Sequence, residues 1–182
     1  MGPLIIALIV VVVLIAGWWI STMNGLNRQK VKIEESLSGI DVALTKRYDT
    51  LTKMVDVAKS YAKFEKETIF GAVKLRKGMS MDERQQAAAN MDATRSELNI
   101  LAEAYPQLAA NENFKQLQIS IMDVEEHLQA ARRAYNSNVS NLNQRIVTFP
   151  TSIVAGSCGI TRQPFFEAEE AKRSDVNMDI NI

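Results

Sequence analysis

Cysteine and histidine are almost missing from this chain: Cys158 and His127 are the sole residues of their types among 182. A lone cysteine excludes an intramolecular disulfide and fits a reducing compartment. With the single histidine elsewhere, no cluster has metal-ligand spacing, so no metal site is expected. Net charge is missing too, because 21 Lys and Arg balance 21 Asp and Glu. Without a global basic field, nucleic acid is not an expected partner. Proline is scarce, and none lies between Pro3 and Pro106, which leaves that stretch free of obligatory helix breaks. A glycine-rich phosphate loop and a nucleophile placed with a histidine base are both lacking. No catalytic or cofactor-binding residues are therefore expected, and the protein reads as a non-enzyme. The length suits one domain plus an appendage.

No charged side chain appears before Arg28, and Leu4 to Ile20, "LIIALIVVVVLIAGWWI", is an unbroken apolar run of seventeen residues. At about 1.5 Å per residue the run spans roughly 26 Å, and Ser21 to Met23 extend it toward the bilayer's roughly 30 Å hydrocarbon thickness. Residues 1–23 are therefore expected to form a transmembrane signal-anchor. Trp18 and Trp19 close the run, and Arg28, Lys30 and Lys32 follow, an arrangement that places a membrane interface there. A cleaved signal peptide would begin with cations and end at a small-residue site. "MGPL" offers no such cations, and Ala16 and Gly17 run straight into the tryptophans. Cations that follow the span place the N-terminus outside and residues 24–182 in the cytoplasm.

Beyond the span, apolar residues recur in steps of three and four at Ile33, Leu37, Ile40, Leu44, Tyr48, Leu51, Val55 and Ala58, and the pattern extends to Ala62, Ile69 and Val73. Such periodicity predicts one long amphipathic helix from Asn24 to about Lys77, weakened at its far end by Gly71 and Gly78. Ser80 with Glu83 forms a capping-box pattern that starts a second helix, which carries Ala88, Met91, Leu98 and Leu101 and is closed by Pro106. A third begins after Asn111, with a stripe at Phe114, Leu117, Ile121, Val124, Leu128, Ala131 and Tyr135. The stretch "RRAYNSNVSNLNQRIVTFP", residues 132–150, is rich in asparagine, a poor helix-interior residue. Val139, Leu142, Ile146 and Phe149 nevertheless maintain the helical register there. After Pro150, "TSIVAGSCG" is suited to close approach, and a brief helix is expected from Pro164 with Phe165 and Phe166 as apolar anchors. The last eight residues read as loosely held. The expected fold is all-α: a single N-terminal transmembrane helix, then an antiparallel bundle of three long helices plus short C-terminal helices. Residues 24–45 would be a membrane-proximal stalk and 150–182 a tail of short pieces.

Asn136 and Asn143 are seven apart and share a face beside the apolar seam, while Asn138 and Asn141 lie across it. Carboxamides at a buried edge need partners and both donate and accept. The strip therefore reads either as polar packing between helices or as a recognition surface for another chain. Glu125 and Arg132 also share a face, and Arg47 and Asp49 are placed to join them across the bundle. Arginine holds its proton too tightly for acid–base work, so an ion-paired structural network is the reading.

Taken in order, "MNGL", "RYDTLTKMVDVAKSYAKFE", "AYPQL", "RRAYNSNVSNLNQRIVTFP", "IVAG" and a late Phe-Glu pair resemble the LemA family of bacterial membrane proteins across nearly the whole chain. The family's motif positions match Arg47 and Asp49, Tyr105 and Pro106, Tyr135 and Asn136, and Phe149 and Pro150. Met23 and Leu142 depart from it, standing where aromatic residues before Asn are more usual. The resemblance implies a helical bundle with one N-terminal span in a bacterial inner membrane, and no established enzymatic activity. It also implies kinship with proteins of magnetosome membranes and frequent genetic proximity to a membrane-bound zinc protease.

Two functional readings follow, a self-associating scaffold at the cytoplasmic face or an adaptor that presents a client to another membrane protein such as a protease. Lengths favour the scaffold. A helix from Asn24 to Lys77 would reach roughly 80 Å, and a second of about 25 residues would return only about 37 Å. The third would then travel outward again, leaving Ile33, Leu37, Ile40 and Leu44 uncovered. Four exposed apolar side chains on one face are expected to drive association into homo-oligomers.

Overall fold

The computed structural model describes residues 2–61, 75–76 and 78–167, and every regular element among them is a helix. Helix α1, Gly2–Ala58, runs unbroken from the apolar segment into the folded domain. It stops well before Lys77, as its last bonds tighten to an i−3 pattern, Ser60 N to Val57 O at 3.2 Å and Tyr61 N to Ala58 O at 3.0 Å. Such tightening satisfies terminal carbonyls that have no helical partner. The expected continuation through Ala62, Ile69, Gly71, Val73 and Lys77 lies outside the described residues. Gly78 has a φ of 80°, a left-handed conformation that glycine adopts without a Cβ clash.

Helix α2, Met81–Ala104, begins with the capping box read from the sequence. Ser80 Oγ accepts from Glu83 N at 3.2 Å, and Glu83 Oε2 accepts from Ser80 N at 2.8 Å. The sequence did not reveal the short α3, Pro106–Ala110, where proline takes the first turn and Leu108 is buried. Proline fits there because the first-turn N–H has no acceptor within the helix. Helix α4, Glu112–Val147, is capped by Asn111, whose Oδ1 accepts from Phe114 N at 3.0 Å. Helix α5, Thr151–Ser157, follows a cis Phe149–Pro150 bond.

The chain divides into two compact units: Met1–Gly39 with Ala131–Phe165, here the anchor unit, and Ile40–Ala130 with Phe166–Ile182, the core unit. In the core unit α2 runs parallel to α1, because Asp41 pairs with Arg84, and Arg47 reaches Ala88 and Asp92. Helix α4 runs antiparallel, placing Asn111 beside Tyr61 and Glu125 beside Arg47. With two helices against it, α1 buries a wide stripe that includes the adjacent pairs Ala43–Leu44 and Met54–Val55. Met91, Leu98, Phe114, Ile121 and Leu128 complete that core.

In the anchor unit α1 presents a narrower seam with Leu26 and Ile33 buried; Tyr135, Val139 and Leu142 of α4 are buried as well, and so are Val154 and Ala155 of α5. The two long helices are antiparallel here too. Gln29 Nε2 donates to Asn138 O at 3.0 Å, and a Cβ at Gly25 would lie 3.1 Å from the Arg145 guanidinium. The expectation that the membrane-proximal face stays uncovered therefore does not hold. Ile33, Ile40 and Leu44 are buried within the chain and Leu37 is half-buried, because α4 returns along α1 instead of travelling outward. Phe149 also departs from its expected place in the α4 stripe, lying past the helix end and 77% exposed. Phe166 is buried while Phe165 is exposed, and Pro164 to Glu167 are not helical. The remainder of that expected helix and the last eight residues lie outside the described residues.

Candidate functional site

The first candidate is the apolar start of α1, the one helix among those described that is long and apolar enough to cross a membrane. Leu4 to Ile15 expose their large side chains throughout, Trp18 is exposed and Trp19 half-buried. Arg28 and Lys30 are exposed on the same helix. An apolar surface of this kind is costly in water and stable in lipid.

The second is the asparagine strip. Asn143 holds the backbone of Gln163 from both sides: Nδ2 donates to Gln163 O at 2.9 Å, and Oδ1 accepts from Gln163 N at 2.9 Å. One turn pair earlier, the Tyr135 hydroxyl donates to Pro164 O at 2.9 Å. A side-chain amide matches a peptide's donor and acceptor together, so it substitutes for the strand partner that this non-helical segment lacks. Across the seam, Asn138 Nδ2 donates to Lys32 O at 3.2 Å. Asn136 is half-buried and Asn141 exposed. Nothing in the sequence signalled Gln163 as the strip's partner, because the contact is made by its backbone.

The third is a charge cluster in the core unit. The buried Arg47 guanidinium donates to Ala88 O at 3.1 Å and pairs with Asp92 and with Glu125, which also lies 3.6 Å from Arg95. Arg47 and Glu125 were both readable as members of an ion-paired network. Asp49 is not part of it, being exposed, and Asp92 was missed because a lone acid on a helix carries no periodic signal. A second buried arginine, Arg84, forks onto Asp41 at 2.6 and 2.8 Å. These contacts tie helices together, Arg47 linking α1 to α2 and α4, and Arg84 linking α2 to α1. Glu83 has its carboxyl held below the usual range, chiefly by the Ser80 backbone N–H and further by the Arg76 charge. Among the described residues no three His, Cys, Asp or Glu side chains converge on a metal-sized site.

The sequence pattern of the LemA family matches residues 36–180, most of the chain. The chain belongs to the LemA family. A similar relative is Protein LemA of Metamycoplasma hominis, 29% identical over 164 residues that cover 87% of this chain and 75% of the relative. The LemA motif positions now have surroundings. Arg47 centres the buried cluster, Tyr105 joins α2 to α3, Tyr135 holds Pro164, and Phe149–Pro150 forms the α4–α5 corner.

Proposed function

We propose that this LemA-family protein is a non-enzymatic, membrane-anchored helical scaffold at the cytoplasmic face of a bacterial membrane, which assembles with its own copies. One observation carries the reading: the start of α1, Leu4 to Ile15, exposes its large apolar side chains throughout, a surface that is costly in water and stable in lipid. A helical domain tethered there meets its own copies at a raised local concentration.

The buried Ile33, Ile40 and Leu44 are not offered as the surface for that assembly. In the core unit the exposed apolar pair Ile119 and Met122, three apart on α4, is the self-association contact we propose. An adaptor would use the same pair for a client. In mild detergent the full-length scaffold should run as a homo-oligomer, and Ile119→Glu with Met122→Glu should reduce it to a folded monomer. A wild-type monomer that gains mass only with a second protein would instead establish the adaptor.

A further inference from the structure

We infer that the α4–α5 corner is a second membrane contact, in which Val147, Phe149 and Ile153 enter the headgroup layer of an anionic bilayer beside the α1 span. The inference rests on α1 crossing the membrane and concerns the anchor unit alone.

The register of the two antiparallel helices sets the depth. Gly39 faces Ala131, Asn138 bonds to Lys32 and is bonded by Gln29, and Gly25 lies against Arg145. Antiparallel helices with a common rise of about 1.5 Å per residue keep such a register along their length. Continued by two residues, it sets Val147 level with Met23; Phe149 then falls near Ser21, to within about a turn. That is the end of the apolar run, next to Trp18 and Trp19. The corner thus sits where the span leaves the hydrocarbon.

Its surface chemistry fits that depth. Val147 and Ile153 are each 54% exposed and Phe149 is 77% exposed, a cluster that water disfavours and an interface accommodates. The anchor unit carries seven Lys and Arg against two Glu, a net of five positive charges in a chain of zero net charge, with Arg132 and Arg133 at its far end, level with Ser38 and Leu37. Arg28, Lys30, Arg145 and Arg162 are exposed, and clustered cations beside a span attract anionic lipid headgroups. The clamp described above gives this arrangement a purpose. Asn143 and Tyr135 fix the chain at Gln163 and Pro164, while α5 buries Val154 and Ala155 and turns Ile153 outward.

The test uses the full-length chain with Cys158→Ser in nanodiscs of phosphatidylcholine, with and without phosphatidylglycerol. An environment-sensitive fluorophore is placed by Phe149→Cys, separately by Ile153→Cys, with Ala16→Cys as the span reporter and Lys115→Cys as the aqueous one. Nitroxide lipids labelled near the headgroup should quench the labels at 149 and 153, iodide should not reach them, and phosphatidylglycerol should deepen the quenching. Iodide access at both positions, with the label at 16 still lipid-shielded, overturns the inference and leaves the span intact. Shielding from iodide and nitroxide alike shows a protein contact and overturns it too. Iodide access at 16 removes the span itself.

Discussion

Arg47 shows what a single buried side chain commits the fold to. Its side chain is the largest fully buried one among the described residues, and the guanidinium faces Asp92 and Glu125, whose side chains keep 28% and 18% of their exposure. Removing the cation leaves two like charges together with reduced access to water. Breaking a buried pair from one side costs about 3–5 kcal/mol, and residual exposure of the acids puts Arg47→Met at the lower end, about 3 kcal/mol. Glu125→Gln should cost less, because Asp92 still neutralises the arginine. Denaturant unfolding of the two variants checks the order, and equal losses would refute it. Glu83 supplies a pH effect of known sign. Its folded pKa is depressed, first by the Ser80 N–H and then by Arg76, so its contribution is present above the unfolded carboxylate pKa. That contribution is lost as pH falls through the depressed folded value. Protection of the Ser80 amide, its exchange rate set against the intrinsic rate at each pH, should fall over that acid window, and Glu83→Gln should flatten the response.

At the scale of elements, periodicity was legible where one helix has a plain seam. Phe114, Ile121, Leu128 and Tyr135 are buried at seven-residue intervals, and Asn111 and Ser80 cap as their side chains require. After Tyr135 the seam advances by four to Val139, two steps of four in succession from Ala131. That is a four-residue insertion into the heptad, which shifts the buried face, and the asparagine strip lies along the shifted part. Direction was not legible. Apolar steps beyond Ala58 fit a continuing helix as well as a new one, so nothing in the pattern signals that α2 runs parallel to α1 or that α4 covers Ile33 to Leu44. Phe149 fits the α4 stripe by spacing alone, since a period cannot tell a core position from one that leaves the helix. The clamp on Gln163 uses backbone groups, which a sequence does not distinguish. Asn143→Ala removes both of its hydrogen bonds and should cost roughly 1–3 kcal/mol at this half-buried edge. Exchange of the Gln163 amide should rise in step. Asn143→Asp retains the acceptor and should keep that amide protected while losing the bond to Gln163 O. An alanine variant with unchanged exchange would show that the segment is held by other contacts.

For the whole molecule the deciding property is the distribution of charge about the one apolar span. No charged side chain precedes it, and Arg28, Lys30 and Lys32 follow it. Arg132, Arg133, Arg145 and Arg162 belong to the same unit, while Glu34 and Glu35 are that unit's acids. Orientation follows Lys and Arg close to the span and is little affected by Asp and Glu, so overall neutrality of the chain does not weaken the bias. The three cations next to the span act during insertion, whereas the arginines from α4 onward come too late in sequence to steer it. Arg145, which lies against Gly25 near the end of the span, is placed to reinforce that bias by meeting a negative leaflet surface, about 1 kcal/mol for a cation near the surface. The domain is therefore predicted to be cytoplasmic. Glu103, exposed on α2, gives a reporter: with Cys158→Ser, the variant Glu103→Cys should resist a membrane-impermeant maleimide in intact cells and react after permeabilisation. Changing Arg28, Lys30 and Lys32 to glutamine while adding lysines after Met1 should invert that pattern for a fraction of the chains. Labelling of the parent Glu103→Cys protein in intact cells would place the domain outside and reverse the topology.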